Sequence, residues 1–285
     1  MSSVVIVGGT GQAGRALVRA AVAEGHDVRV VSRHGDRGPE AGARHVRADV
    51  LAEDEGPLRA AFAGADVVVD TLNHQGRDAA RVLPAAAQAV TRAAGDAGVG
   101  HVVVLSIAHV DRAPGFAYYR AKVAQEDVYG AAAVPSTVVR ATQFHTFLEG
   151  LLFGAPTRRG AWSRGGLVPY PRGGRLQPID LSDVARALLE AAAGPAAPFS
   201  AGAAVEERGP GDRVVTVGGP QELAAAAMAQ EWRAAHGLRR RPVGVPLPGA
   251  AGRFFSSGDA ATPEAPYGTV TYAEHLARTA RGAVA

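Results

Sequence analysis

Short apolar, β-branched runs alternate with alanine-rich stretches of helical period through the first half of the chain. The runs Val4–Val7, Val28–Ser32, Arg44–Ala48, Val67–Asp70, Val102–Leu105 and Thr137–Arg140 predict strands, because branched side chains fit extended backbone. Gln12–Ala23, Pro57–Ala63, Ala79–Ala97 and Tyr118–Tyr129 predict helices between most of them. The connection between the second and third strands carries Gly35, Gly38, Pro39 and Gly42 and reads as a loop. Strand–helix–strand alternation of this kind predicts an α/β fold with a doubly wound parallel sheet. Ligands of such sheets bind beyond the carboxyl ends of the strands.

After Arg140 the pattern loosens. Gln143–Phe153 predicts a helix whose apolar set is Phe144, Phe147, Leu148, Leu151 and Leu152, with Phe147 either in the core or lining a substrate pocket. Residues 154–175, rich in glycine, proline and arginine, read as a flexible loop, and Gly249–Gly268 as a second. Leu176–Ile179 is extended and leads into a helix over Asp180–Ala193. Val214–Val217 and Val243–Val245 predict strands on either side of a helix over Gln221–His236, and a last helix starts near Tyr272. One domain, 1–285, is expected, with residues from about 141 onward forming a small C-terminal substrate cap.

Composition narrows the chemistry. Hydrophobic residues make up 47% of 285, enough for a sizeable core, and the absence of cysteine excludes thiolate chemistry and disulfides. There is no basic leader before the first strand and no apolar run of the roughly 18–20 residues that a membrane helix needs. A soluble, cytoplasmic protein is expected. Net charge is +3, and the cluster Arg239-Arg240-Arg241 reads as a solvated connection rather than a nucleic-acid surface.

The first strand runs into Gly8-Gly9-Thr10-Gly11-Gln12-Ala13-Gly14. Gly8 permits the tight turn, Gly11 the approach of a pyrophosphate, and Gly14 the close packing of helix on sheet. Thr10 and Gln12 lie in the same turn, where the helix N-terminus offers unpaired N–H groups to phosphate. The placement predicts dinucleotide binding on a Rossmann-type sheet. The second strand ends in Ser32-Arg33, where an NAD site would place a carboxylate for the ribose. A guanidinium there meets a 2′-phosphate instead, which predicts NADP(H). Arg37 assists from the loop or is simply solvated. Asp49 and Val50 follow the third strand, where Asp49 meets the adenine or caps a turn. Thr71, Leu72 and Asn73 follow the fourth strand, toward the nicotinamide ribose, and Asn73 either lines the site or forms a turn.

Of thirty basic side chains, one is a lysine, Lys122, and it stands one helical turn after Tyr118. Four helical residues turn through about 400° and rise about 6 Å, so both side chains are expected on one face. Ser106 ends the fifth strand upstream.

Together the glycine spacing, Ser32-Arg33, Ser106 and Tyr118-x-x-x-Lys122 resemble the short-chain dehydrogenase/reductase superfamily. The stretches Tyr119–Glu126, Val138–Phe144 and Gln177–Ala185 resemble its atypical, NmrA-like branch. The resemblance implies that Tyr118 donates or accepts the proton, that Lys122 holds the nicotinamide ribose and lowers the tyrosine pKa, and that Ser106 bonds the substrate oxygen. A shift of two to three units below the free value near 10 corresponds to roughly 3–4 kcal/mol, within reach of an ammonium in a desolvated cleft. Some NmrA-like proteins sense the nucleotide redox state without turnover and commonly lack the Tyr–Lys pair. The segment after Ser106 reads Ile107-Ala108-His109 instead of a second serine, leaving His109 as a substrate-orienting group, an acid–base, or an ordinary loop residue. Phe144, His145 and Trp162 are candidate pocket residues for a flat or apolar substrate. No metal is expected, since the nine histidines form no HxxxH pair and no histidine–carboxylate cluster at ligand spacing. The expected function is an NADPH-dependent, ketoreductase-like oxidoreductase acting on a small carbonyl compound, with an oligomer possible. The alternatives are an NADP sensor, or an epimerase or dehydratase with retained cofactor.

Overall fold

A computed structural model describes residues 1–34, 42–150 and 167–282. The six predicted runs form β1 (Ser3–Val7), β2 (Asp27–Ser32), β3 (Ala43–Arg47), β4 (Val67–Asp70), β5 (His101–Ile107) and β6 (Ser136–Ala141). Beyond them lie β7 (Leu167–Pro171), β8 (Arg175–Leu176), β9 (Ala204–Gly209), β10 (Asp212–Val217), β11 (Leu223–Ala224) and β12 (Arg241–Val245). The helices are α1 (Gln12–Ala23), α2 (Gly56–Phe62), α3 (Ala79–Asp96), α4 (Ala117–Gly130), α5 (His145–Leu148), α6 (Leu181–Ala192), α7 (Ala225–Ala235), α8 (Gly249–Ser256) and α9 (Tyr272–Gly282).

Eight strands form one sheet in the order β3-β2-β1-β4-β5-β6-β10-β9, parallel throughout except for β9. The inner strands β2, β1, β4, β5, β6 and β10 are largely buried on both faces and therefore read as near-continuous apolar runs. On one face, Ile6, Val30, Val69 and Val103 pack against Leu17 and Val18 of α1 and Val184 and Leu188 of α6. On the other, Val5, Val68, Val102 and Val104 pack against Leu58 and Phe62 of α2, Val90 of α3 and Tyr129 of α4. A further apolar cluster joins Val168, Leu176, Met228, Trp232, Phe254, Tyr272 and Leu276 among the C-terminal elements.

Four readings change in the second half. The stretch read as a loop over 154–175 carries β7, which pairs in parallel with β12, so tertiary pairing overrides the local proline signal. The Gly249–Gly268 stretch carries α8. Strand β9 went unread because it is a charged edge strand, AVEERG, that buries no side chain fully. Helix α5 starts only at His145, because Phe144 is held extended by a bridge to Ile179; Phe147 is 36% exposed and outside the core. Leu151, Leu152 and Trp162 lie outside the described residues. Among the described residues no helix is long and apolar enough to cross a membrane.

His101 opens β5 and is 3% exposed. Its Nε2 lies 3.0 Å from Thr137 Oγ1, which also accepts from Arg213 Nε at 3.2 Å. Burial first, and the Arg213 charge second, push the imidazole down to about 4 from 6.5. Between those values the unfolded chain binds the proton and the folded chain does not. The contribution is thus complete above the unfolded pKa and is lost as pH falls toward about 4, on the order of 3 kcal/mol. His101→Gln is expected to flatten this part of the stability–pH curve. Urea unfolding at neutral pH and in mild acid checks it; the same acid sensitivity in both proteins would assign the effect elsewhere.

Candidate functional site

Strand β1 has β2 on one side and β4 on the other, so the turn after it sits where the strand order reverses. Gly8 occupies that turn with φ +75°, and its N–H donates to Val31 O at 3.2 Å. A Cβ on Gly14 would lie 2.4 Å from Gly8 O, so only glycine lets α1 pack here. Gly9 matters as well, which its place inside the glycine spacing hid: a Cβ there would lie 2.7 Å from Val30 Cγ1. Gly11 caps α1 with no side chain, and the first turn holds no acidic residue. The helix start is thus neither filled nor electrostatically opposed, which fits a diphosphate. Thr10 O accepts from Arg15 Nε, and Gln12 Oε1 accepts from Thr146 Oγ1 at 3.3 Å.

At the rim, Ser32 is half-buried and Arg33 exposed, while Arg37 lies outside the described residues. Asp49 is exposed and its Oδ1 accepts from Leu51 N at 3.0 Å, which makes it a turn cap; Val50 beside it is half-buried. The Thr71 hydroxyl is committed to Val7 O at 2.9 Å, and Leu72 N donates to Asp70 Oδ1 at 2.7 Å. The Thr71–Leu72 backbone lies against Gly8, and the donor of the Thr71 hydroxyl is taken up inside the fold.

Helix α4 docks through an unusual face. Its buried residues are Ala121, Lys122, Gln125, Glu126 and Tyr129, a helical stripe that is largely polar. Lys122 Nζ donates to Leu105 O at 2.8 Å and to Gln125 Oε1 at 2.6 Å. Gln125 Nε2 and Tyr129 Oη donate to Asp70 Oδ2 at 3.2 and 2.7 Å. Arg140 of β6 forks onto Glu126, with Nη2 to Oε2 at 2.6 Å. Side chains alternate along a strand, so Asp70, Ser106 and Arg140 continue the face of Val68, Val104 and Val138 that α4 covers. Ser106 is 4% exposed and its Oγ has no protein partner.

Burial lowers Lys122 to about 8, against the opposing pull of Asp70 and Glu126. Burial also raises Asp70, against hydrogen bonds from Tyr129, Leu72 N and Gln125 and the charge of Lys122. The expected lowering of Tyr118 does not occur. Burial raises its pKa, and its hydroxyl donates to Asn73 Oδ1 at 2.7 Å. Helical spacing puts the two residues on one side, but the Lys122 head turns inward beneath β5 while Tyr118 turns to the end of β4. Asn73 thus belongs to the tyrosine's surroundings. Tyr119 packs on Phe116 and Phe254, and burial drives its pKa well upward.

His109 adopts a left-handed backbone, φ 53°, and its Nδ1 donates to Asp259 O at 3.0 Å. Its Nε2 faces Glu264 at 3.5 Å, so the ring is engaged with the C-terminal segment and is not a free acid–base. Phe144 packs beside the α1–α6 core. His145, read as a pocket residue, is 1% exposed and sits in a polar cluster with Asp180, His275 and Glu149. This corrects the expectation of no histidine–carboxylate cluster: α5, the start of α6 and α9 bring together residues with no local spacing.

A family model described as NAD(P)H-binding matches residues 8–195. No curated protein matches the sequence. Among solved structures, triphenylmethane reductase from Citrobacter sp., complexed with NADP(H), superposes with TM-score 0.71 at 18% identity, over 98% of this chain and 99% of that one. An NADPH-dependent quinone oxidoreductase from Escherichia coli gives TM-score 0.67 at 16% identity, over 97% and 99%. A nucleoside-diphosphate-sugar epimerase from Staphylococcus aureus gives 0.70 at 17%, over 96% and 99%. These are likenesses of fold.

Proposed function

The chain belongs to the NAD(P)H-binding family, and on that premise we propose that it is an enzyme reducing a ketone or quinone-like small molecule with NADPH. The observation that carries this reading is the pair of hydroxyls at one sheet edge. Ser106 Oγ is buried without a partner, one residue beyond the carbonyl that Lys122 holds, and the Tyr118 hydroxyl stands at the neighbouring strand end on Asn73. When bound, the reduced nicotinamide supplies a hydride. Ser106 Oγ donates to the substrate oxygen and fixes its place. Tyr118 keeps its proton through neutral pH, because burial raises its pKa, and delivers it to that oxygen as negative charge develops. Asn73 Oδ1 aims the phenol. Lys122 has three donors and spends two within the fold, so the third is assigned to the nicotinamide ribose. Phe144 is the proposed apolar wall. The C-terminal elements gathered around Trp232 and Tyr272 are assigned to the substrate cap, whereas α6, β9 and β10, also beyond residue 141, belong to the central sheet and its covering layer.

Support also comes from fold neighbours that are, by their own descriptions, an NADPH-dependent quinone oxidoreductase and a triphenylmethane reductase. A second reading, nucleotide binding without turnover, draws on Tyr118 being held by Asn73 and not by Lys122. An epimerase or dehydratase with retained cofactor is the third, and one fold neighbour is described as a sugar epimerase.

NADPH oxidation against a panel of ketones and quinones separates these. Tyr118→Phe is expected to cut kcat by about 100-fold or more while leaving nucleotide affinity nearly unchanged. Parental turnover in that variant would remove Tyr118 from the reaction, and tight NADPH binding with no turnover on any acceptor would favour the second reading. On cofactor choice, Arg33→Ala is expected to weaken NADPH about tenfold, roughly 1.4 kcal/mol, and NADH little. Isothermal titration with both nucleotides decides it; equal weakening would take the 2′-phosphate away from Arg33.

A further inference from the structure

His145 is 1% exposed, yet neither of its ring nitrogens has a hydrogen-bond partner. A buried imidazole in that state is costly unless something else meets it. What faces it is chemically specific. Asp180 Oδ2 lies 3.6 Å from His145 Nδ1 and 3.2 Å from His275 Nδ1, and one donor atom from each of the three residues falls within 4.8 Å of the others. Around a tetrahedral ion with bonds of about 2.1 Å, neighbouring donors stand about 3.4 Å apart. The 3.2 and 3.6 Å separations bracket that value.

The surrounding groups are arranged as supports. Asp180 spends Oδ1 on Ser182 N and Oγ, at 2.9 and 2.6 Å, and so presents Oδ2 to the histidines. Glu149 Oε1 stands 3.2 Å from His275 Nε2, on the far side of the ring from Asp180. A carboxylate behind a histidine fixes the tautomer whose other nitrogen binds a metal. The competing arrangement is a protonated His275 bridging two carboxylates. It explains Asp180 and Glu149 but gives His145 Nδ1 only the 3.6 Å approach of Asp180 and leaves its Nε2 without a partner.

We propose that His145, Asp180 and His275 bind a divalent transition-metal ion, of which Zn²⁺ best fits two imidazoles and a carboxylate. The ion joins the start of α5, the N-cap of α6 and the first turn of α9, and so fastens the C-terminal helix to the carboxyl edge of the sheet. Thr146, next to His145, touches Gln12 at the glycine turn, which places the site beside the nucleotide end of the fold. The inference does not depend on the reductase reading.

The test uses chelator-stripped full-length protein titrated with Co²⁺ as a spectroscopic probe, then with Zn²⁺. The expected result is one Co²⁺ per chain with visible ligand-field bands, displaced by one equivalent of Zn²⁺. Affinity should fall at least about 100-fold in His145→Asn and His275→Asn, consistent with loss of a ligand. To keep the test independent of the folding of either variant, crystals grown from the parent protein are soaked in Zn²⁺ as well. Anomalous density bonded to all three side chains supports the site. Co²⁺ affinity equal in parent and variants, or anomalous density only on exposed histidines, overturns it.

Discussion

The structure depends on keeping one ammonium group buried beneath the carboxyl edge of the sheet. Lys122 is 3% exposed, and a charge taken out of water costs several kcal/mol unless neighbours replace the lost hydration. The replacement is local: the Leu105 carbonyl, the Gln125 amide and, through Gln125, the Asp70 carboxylate. Each charge makes the other tolerable. This requirement explains why α4 buries lysine, glutamine and glutamate where an ordinary helix buries leucine. It also explains the Arg140–Glu126 pair, which neutralises the buried carboxylate of that helix face.

That network sets the order of the candidate site. Asp70 ends β4, Leu105 precedes Ser106 on β5, and Arg140 lies in register beside Ser106 on β6. Fixing α4 to three strand ends fixes the Tyr118 hydroxyl at its open end. The glycine turn fixes the other boundary, because Gly14 and Gly8 pack too closely for any side chain. Between them the fold presents an uncapped helix start, an orphan serine hydroxyl and a phenol. In the proposed reading these correspond to diphosphate, substrate oxygen and proton.

Much of this was legible in the sequence because it rests on local rules. Parallel strands buried on both faces announce themselves as valine runs, and glycine spacing reports a turn that tolerates no Cβ. The lone lysine pointed to α4, where it lies buried in a hydrogen-bonded network. What stayed hidden depends on tertiary placement. Helical spacing paired Lys122 with Tyr118, but side-chain direction turns one inward and the other toward Asn73. Asp49 and Thr71 sit at the expected strand ends, where Asp49 Oδ1 accepts from Leu51 N and the Thr71 hydroxyl donates to Val7 O, contacts that no spacing announced. His145, Asp180 and His275 converge from three elements, so no motif could show them. Strands β7 and β9 exist because partners exist for them.

The central claim is that the position of Lys122 accepts only a compact ammonium. Lys122→Arg keeps the charge and asks a planar guanidinium to occupy a space bounded by Leu105 O at 2.8 Å and Gln125 Oε1 at 2.6 Å. The decisive measurement is NADPH affinity and turnover of this variant beside the parent, in protein whose folding is verified by circular dichroism. The account predicts a folded protein that has lost most of its activity and much of its nucleotide affinity. A Lys122→Arg protein with parental affinity and turnover would contradict it.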